Sequence, residues 1–563
     1  MHMITETSFA KGHFSKWLTD REKPAWKDML LLLVIFGFSF FHSLGTIPLI
    51  EPDEGRYAEI PREMLERGDF ITPLLNYVKY FEKPPLHYWL NALSMSIFGR
   101  NEFAARLPGA LMGLLTVILV YHVGRKLFDR RSGLLAALIL GTCTGFLVQA
   151  RLDITDMTLT CTLSAALAFF ILAADEREPR KGLYYHLSYI AAALAMVAKG
   201  LIGIVFPGAI IFLYLLLSRR WRLIREMRLA TGTTLFLAVA APWFVLVSIR
   251  NPEFLHFFFI HEHFERFTTT VHGRYQPFWF FVPVLIGTML PWSFFIPTAI
   301  RGVWRERAAT GGGSRLYLLI WALFIFLFFS KSNSKLIPYI LPVFPPLALL
   351  MGSALAKLLD RRFGTVKVQA FLAGGVLSIL GVGLVLYPHL AAKPGMSCIG
   401  GTITGLLFLG EGICALIAAR KESLVKLIAS LCLFSYLLGI FGPPAILPGI
   451  AEKKSLKEFG LLIREKATPD AVIASFGVDQ GLSFYSGRRI IVVGDRNELE
   501  FGSRLGDQSA WFIEPQRFRE LWDGGTQVFA LVGGEDLAQL QATVRAPVRV
   551  LAKNRRKLLI SNR

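Results

Sequence analysis

The sequence predicts a polytopic α-helical membrane protein with about thirteen transmembrane helices, followed by a small C-terminal α/β domain. Three observations carry that expectation. The 563 residues are 53% hydrophobic and only 18% charged, with a mean hydropathy of +0.48, against roughly 45–50% apolar and about 25% charged in average soluble domains. Apolar runs of membrane-spanning length recur between residues 29 and 447. Clusters of Lys and Arg fill every second connection between those runs. The 61 Lys+Arg exceed the 41 Asp+Glu, giving a net charge of +20. That loop-by-loop distribution is the mark of an oriented membrane protein, so it calls for no nucleic-acid partner. The five cysteines show neither metal spacing nor a disulfide framework.

In order, spans are expected at 29–50, 105–124, 132–149, 157–174, 183–198, 200–218, 229–249, 278–300, 316–330, 337–356, 368–388, 399–418 and 427–447. The first follows a basic lead (Lys11, Lys16, Arg21, Lys23, Lys27) and no small-residue cleavage site follows it, so it reads as an anchor. Arg125-Lys126 with Arg130-Arg131, then Arg177–Lys181, Arg219–Arg228, Arg301–Arg307, Lys357–Arg362 and Arg420–Lys426 load alternate connections. The positive-inside bias then places the N-terminus in the cytoplasm, and an odd span count places the C-terminus outside.

Residues 1–447 therefore form the transmembrane part, with a long outer loop at about 51–104 whose polar content suits helices lying on the membrane surface. Residues 448–563 form the α/β domain. Ser455–Lys466 and Arg517–Trp522 read as helices, and Ala471–Phe476, Ile490–Gly494 and Gln527–Gly533 as short strands. This domain shows no catalytic motif and reads as a structural or acceptor-facing cap.

Four polar segments fall on the outer side, where unpaired charge beside hydrocarbon is expensive. Glu51-Pro52-Asp53-Glu54-Gly55-Arg56-Tyr57 puts three carboxylates at the exit of span one, although Asp53 could simply cap a helix over Tyr57–Arg67. Tyr80-Phe81-Glu82-Lys83-Pro84-Pro85 holds Lys83 before a rigid Pro-Pro pair, which suits an anionic ligand; an interfacial turn is the plainer reading. Arg151-Leu152-Asp153-Ile154-Thr155-Asp156 places two carboxylates at a helix start, as catalytic groups or as caps. His261-Glu262-His263, with Glu265 and Arg266, lacks the His-Glu-x-x-His spacing of zinc proteases. A metal shared by Glu82 and one of these histidines is one possibility. Lys199, and Tyr339 with Lys331 and Lys335, add cations and a hydroxyl to the same face.

Cations and tyrosine hydroxyls suit a phosphate, and a carboxylate suits a general base or a positive charge developing at a sugar carbon. Gly311-Gly312-Gly313 lies in a cytoplasmic loop and lacks the ending of a nucleotide-binding P-loop. Nucleotide sugars are cytoplasmic, whereas this cluster faces outward. A sugar already carried across the membrane on a polyprenyl phosphate fits both the phosphate-binding groups and the apolar surroundings.

At these residues the chain resembles the lipid A 4-amino-4-deoxy-L-arabinose transferase family, within the protein-mannosyltransferase-like, multi-span (GT-C) glycosyltransferases. The resembling segments are Glu51–Glu59, Tyr80–Trp89, Arg151–Asp156, Ala198-Lys199-Gly200 and Ser334–Pro342, and the likeness covers about residues 29–450. The resemblance implies transfer of the sugar from undecaprenyl phosphate to a lipid A phosphate, at the periplasmic face of the bacterial inner membrane. It implies Asp53 as the main catalytic carboxylate, with Asp156 in support. Lys83, Arg266, Tyr80 and Tyr339 would hold the donor phosphate, assisted by Lys199. Glu82 and His261, preferred to His263, would be the metal-binding positions, for zinc; no organic cofactor is implied. Related enzymes moving a hexose or hexosamine to a protein or glycan share the first two motifs. A transporter or flippase is the contrasting class, but no second copy of either motif marks an internal repeat.

Overall fold

In the computed structural model, which describes residues 24–265, 275–305, 312–360, 363–391 and 397–563, each expected apolar run lies at least partly on helix, the first, 29–50, only as far as Phe41. Eight helices are long and apolar enough to cross a membrane, or nine if the pair Phe281–Thr288 and Trp292–Arg305, bent by 108°, is one span. By length and composition, then, the described helices do not reach thirteen. The run at 132–149 is interrupted at Cys143, and Ile202–Ser218 is apolar but short.

Burial separates inner helices from outer ones. The apolar windows of Thr155–Ala173 and Ile337–Leu358 are 83% and 89% buried, whereas those of Leu229–Arg250 and Phe363–Leu390 are 28% buried. The latter turn Leu246, Ile249, Leu372 and Ile379 outward, as lipid-facing helices do. Inner helices approach closely where side chains vanish. A Cβ on Gly133 would stand 2.5 Å from the backbone of Arg125 and Tyr121, which lets Arg130–Thr142 lie against Glu102–Leu127.

After the first helix, Ala25–Phe41, the chain forms helix Asp53–Arg67, a hairpin of β1 (Leu74–Leu75) and β2 (Val78–Lys79), and helix Leu86–Phe98. Asn76 and Tyr77 turn the hairpin at φ of 53° and 60°, the left-handed pair of a tight two-residue turn. Helix Asp53–Arg67 begins earlier than expected, and Asp53 is its first residue, not its cap. Its residues from Glu54 to Met64 are buried. Helix Leu86–Phe98 leaves Leu93, Ile97 and Phe98 exposed.

The last long helix, Leu424–Lys454, runs past the division expected at 447/448. Beyond it lies a six-stranded sheet, β5-β4-β3-β6-β8-β7, made of β3 (Val472–Phe476), β4 (Ile491–Val493), β5 (Phe512–Ile513), β6 (Val528–Val532), β7 (Arg549–Lys553) and β8 (Leu558–Ser561). The strands from β5 to β6 are parallel; β6–β8 and β8–β7 pair antiparallel. Phe518 and Trp522 pack on one side of the sheet and Phe459, Ile463 and Leu482 on the other, which is why the parallel strands read as continuous apolar runs.

A third cluster explains the buried exit helix. Val492, Leu499 and Phe512 of the sheet domain share a core with Tyr57, Ile60, Met64, Leu75 and Tyr80. Polar contacts seal the joint. Asn76 Nδ2 donates to the Ile490 carbonyl at 2.8 Å, and Ile490 N–H donates to Asn76 Oδ1 at 3.0 Å. Tyr485 donates to Glu102 at 3.0 Å and accepts from Leu49 N–H at 2.8 Å.

Candidate active site

The three carboxylates of the exit segment have different fates. Glu54 is fully enclosed. Arg106 grips it through Nε and Nη2, both at 2.7 Å, while the N–H groups of Ile50 and Asp153 donate to it at 2.9 Å. Arg106 also donates to the carbonyls of Leu44 (3.0 Å), Ile47 (2.6 Å) and Pro48 (3.0 Å), so this pair ties the segment after the first helix to the start of helix Glu102–Leu127. Glu51 is half-buried against the sheet domain, and burial, with Asp479 next, raises its pKa well above the usual carboxylate range. Asp53 alone opens to solvent, its side chain 56% exposed.

Asp53 is nonetheless fixed. One helical turn on, Arg56 donates through Nη2 to Asp53 Oδ1 at 2.8 Å, and through Nη1 to Tyr80 Oη at 3.1 Å. Glu498 of the sheet domain completes the set, 3.0 Å from the same Nη1. Burial alone would weaken the Arg56 charge, but Tyr80, Glu498, Tyr57 and Glu82 more than offset it and hold its pKa well above the ordinary value. Burial pushes the Tyr57 hydroxyl upward; Arg56 opposes that, while Asp53, Asp156 and Glu82 reinforce it.

The third segment splits likewise. Asp153 is buried, accepting from Asn91 at 2.7 Å with His87 Nε2 at 2.8 Å, while His87 Nδ1 lies 2.9 Å from Thr158. Burial raises its pKa, and His87 and Asn91 oppose that rise. Asp153 is thus a structural anchor, whereas Asp156, in the first turn of Thr155–Ala173, faces a cavity of about 150 Å³.

That cavity gathers Asp156, Lys199, Lys83, Glu82, Glu262 and Tyr339, with Leu159, Ile202, Phe328 and Phe329 as its apolar wall. Lys199 Nζ lies 2.5 Å from Asp156 Oδ1 and 5.3 Å from the centre of the Tyr339 ring. Gly200, at φ +81°, ends the helix that delivers Lys199. Lys83 precedes the Pro-Pro pair that starts Leu86–Phe98, and its Nζ stands 3.4 Å from Glu262. Of the groups expected to hold a phosphate, the structure brings together Lys83, Lys199 and Tyr339. Tyr80 does not line this cavity; it is 2% exposed and its oxygen serves Arg56. Arg266 and the side chain of His263 lie outside the described residues.

The His-Glu-His run lies on a π-helix, His256–Glu265. Its wider turn buries Glu262, while His261 stacks on Phe257 at 5.0 Å. Among the described residues no three His, Cys, Asp or Glu side chains converge as a metal site. Glu82 and His261 alone fall short of the three protein ligands a catalytic zinc takes.

A second cavity, of about 440 Å³, begins at Asp53. Glu51, Arg151 and Lys454 join Asp53 at its polar end, and Leu147, Val148, Phe408, Leu438 and Ile446 line its apolar depth. Arg151 donates to the Ser39 and His42 carbonyls, and burial, with Arg106 nearby, lowers its pKa to about 10.

Arg56, Glu262 and Glu498 received no role from sequence reasoning. Arg56 carried a signal, three residues after Asp53 on the same helix face. Glu498 carried none, since only the fold brings it there.

A lysine-lined cavity and a mainly apolar chamber with Asp53 in its lining, on a bundle of apolar helices, fit a multi-span glycosyltransferase that handles a lipid-linked phosphate. Residues 82–246 match the family described as dolichyl-phosphate-mannose-protein mannosyltransferase, and residues 460–562 the aminoarabinose transferase C-terminal domain. An undecaprenyl phosphate-α-4-amino-4-deoxy-L-arabinose arabinosyl transferase of Erwinia tasmaniensis is 31% identical over 87% of this chain and 90% of its own length. A Pseudomonas aeruginosa protein of the same name is 36% identical over 64% of each chain. The crystal structure of ArnT from Cupriavidus metallidurans bound to undecaprenyl phosphate superposes with a TM-score of 0.84, at 29% identity, over 96% of this chain and 99% of that one. An Archaeoglobus fulgidus oligosaccharyltransferase, at 13% identity and TM-score 0.53, covering 90% of this chain and 69% of its own, shares the fold. The chain belongs to the undecaprenyl phosphate-aminoarabinose arabinosyl transferase family and is a multi-pass membrane glycosyltransferase.

Proposed function

We propose that the protein transfers 4-amino-4-deoxy-L-arabinose from undecaprenyl phosphate to a phosphate of lipid A, at the periplasmic face of the inner membrane. The observation that carries this reading is the pair of cavities, one lined by Lys83 and Lys199 and one mainly apolar with Asp53 in its lining. The donor phosphate enters the smaller cavity against Lys83, Lys199 and the Tyr339 hydroxyl, its lipid chain leaving along Phe328 and Phe329. The larger cavity receives the acyl chains of the acceptor.

In the reaction the bond from the anomeric carbon to the donor phosphate oxygen breaks, and an oxygen of the acceptor phosphate forms the new bond. The departing phosphate gains a negative charge, which Lys83 and Lys199 stabilise. An acceptor phosphate, with a second pKa near 6, is largely ionised at neutral pH. Asp53 therefore has no proton to remove; it faces the positive charge developing on the sugar, with Asp156, paired with Lys199, in support.

The described lining holds two ammonium groups, Lys83 and Lys199, against three carboxylates, Glu82, Asp156 and Glu262. An incoming phosphate thus calls for a further cation, and Arg266 is the group we assign. Zinc at Glu82 and His261 is the alternative source, although those two positions alone do not make a site; no step above runs through a metal, and the zinc content of the purified protein decides it. Lys83→Ala is expected to raise KM for the lipid-linked donor by about 10- to 100-fold, the loss of one charge-assisted contact of roughly 1.5–3 kcal/mol. An unchanged donor KM in steady-state assays contradicts the assignment.

The loaded loops support a cytoplasmic N-terminus, thirteen crossings and a periplasmic sheet domain. A cysteine placed at Ser509 reacts, on this reading, with a membrane-impermeant maleimide added to spheroplasts; protection until lysis reverses the orientation.

A further inference from the structure

The sheet domain packs on the exit loop, and one short segment of it, Glu498–Gly502, reaches both halves of the site. Glu498 sits on the 3-10 turn Asn497–Leu499 that follows β4. Its carboxylate lies 3.0 Å from Arg56 Nη1, while the other arm of the same guanidinium holds Asp53 at 2.8 Å. Leu499 is buried in the core shared with Tyr57, Ile60 and Tyr80. Phe501 stacks at 4.0 Å on Phe257, in the π-helix that carries Glu262 to Lys83. At Gly502 a Cβ would stand 2.4 Å from the Lys79 carbonyl, so the segment is seated without slack. A separate contact runs the same way: a Cβ on Gly481 of this domain would meet Glu51 Oε1 at 2.0 Å.

We propose that Glu498 is a positioning residue for the transfer reaction: through Arg56 it fixes the Asp53 carboxylate, which makes the sheet domain a working part of the active site. The inference rests on the function proposed above. Asp53 is more than half exposed and has few constraints of its own, whereas the Arg56 side chain is 4% exposed and cannot be reset by water. A guanidinium neutralised by Glu498 orients Asp53 without cancelling its charge. With Glu498 removed, Arg56 keeps Tyr80 and the nearby Glu82 but loses one carboxylate partner, so more of its charge bears on Asp53, which draws that carboxylate inward and dampens its pull on the positive sugar carbon.

Glu498→Gln is therefore expected to lower kcat about 10- to 100-fold, the scale of a misplaced reacting group, with donor KM within about twofold of wild type. Glu498→Asp, which restores the charge at a shorter reach, is expected to recover part of kcat. A merely structural role would lower the yield of folded enzyme and leave the kcat of the folded fraction unchanged. Cryo-EM structures of wild type and Glu498→Gln give the second readout, in which the Asp53 carboxylate, 2.8 Å from Arg56 in the wild type, is drawn inward with the guanidinium from its wild-type position. A kcat within twofold of wild type, or an unmoved Asp53, overturns the proposal. If wild type itself consumes no aminoarabinose donor, the functional reading fails, and the two structures still decide the inference. Should Glu498→Gln not fold, Glu498→Asp carries both readouts.

Discussion

Asp53→Asn leaves the protein folded and inserted but lowers kcat by about 10²–10³-fold, the usual size of losing one preorganised charge at a reacting centre. The substitution is isosteric, and the amide oxygen can still accept from Arg56 Nη2 at the 2.8 Å separation seen for Asp53 Oδ1. What disappears is the negative charge facing the sugar carbon. Donor KM is expected to change little, because Lys83, Lys199 and Tyr339 sit in the other cavity. Transfer rates of purified enzyme in detergent, with equal amounts of folded protein, measure the effect. A variant within a few-fold of wild type removes Asp53 from the chemistry.

Arg106→Leu has the largest expected effect on stability. Glu54 is enclosed with Arg106 on two bonds of 2.7 Å, and three loop carbonyls depend on the same guanidinium. Removing one partner of a buried pair leaves an uncompensated charge, at a cost of about 3–5 kcal/mol. Thermal unfolding in detergent should show a lowered Tm, and activity should fall with it, because Glu54 follows Asp53 directly. Adding Glu54→Gln should restore part of the loss, since the stranded charge is then gone. A single variant as stable as wild type would show that the pair contributes nothing to the joint.

These two residues also mark how far the sequence could be read. Asp53 stood out because three carboxylates at a membrane exit are costly, and Lys83 because Pro84 and Pro85 fix the backbone beside it. The lipid-facing helices were legible for the same reason, since a span facing lipid must be apolar throughout. Burial was not legible. Nothing local separates Asp153, held by His87 and Asn91, from Asp156, which faces the cavity. Tyr80 shares a motif with Lys83 but turns inward to Arg56. In the His261–His263 run the spacing drew the eye to the histidines, whereas on the π-helix it is Glu262 that meets Lys83. Glu498 was out of reach altogether: its partner Arg56 lies in the first outer loop, and only the packing of the sheet domain on helix Asp53–Arg67 joins them. The strands β3, β4 and β6 were anticipated as apolar runs, whereas two-residue β5 and the antiparallel pair β7–β8 have no comparable signature.

The central claim is that this site moves aminoarabinose from a polyprenyl phosphate to a lipid A phosphate. Membranes containing the protein, incubated with undecaprenyl phosphate-aminoarabinose and lipid A, test it directly by mass spectrometry of the lipid A. The expected result is a gain of one pentosamine on lipid A, absent with Asp53→Asn. Unchanged lipid A, together with consumption of a hexose- or hexosamine-linked donor in the same membranes, would contradict it.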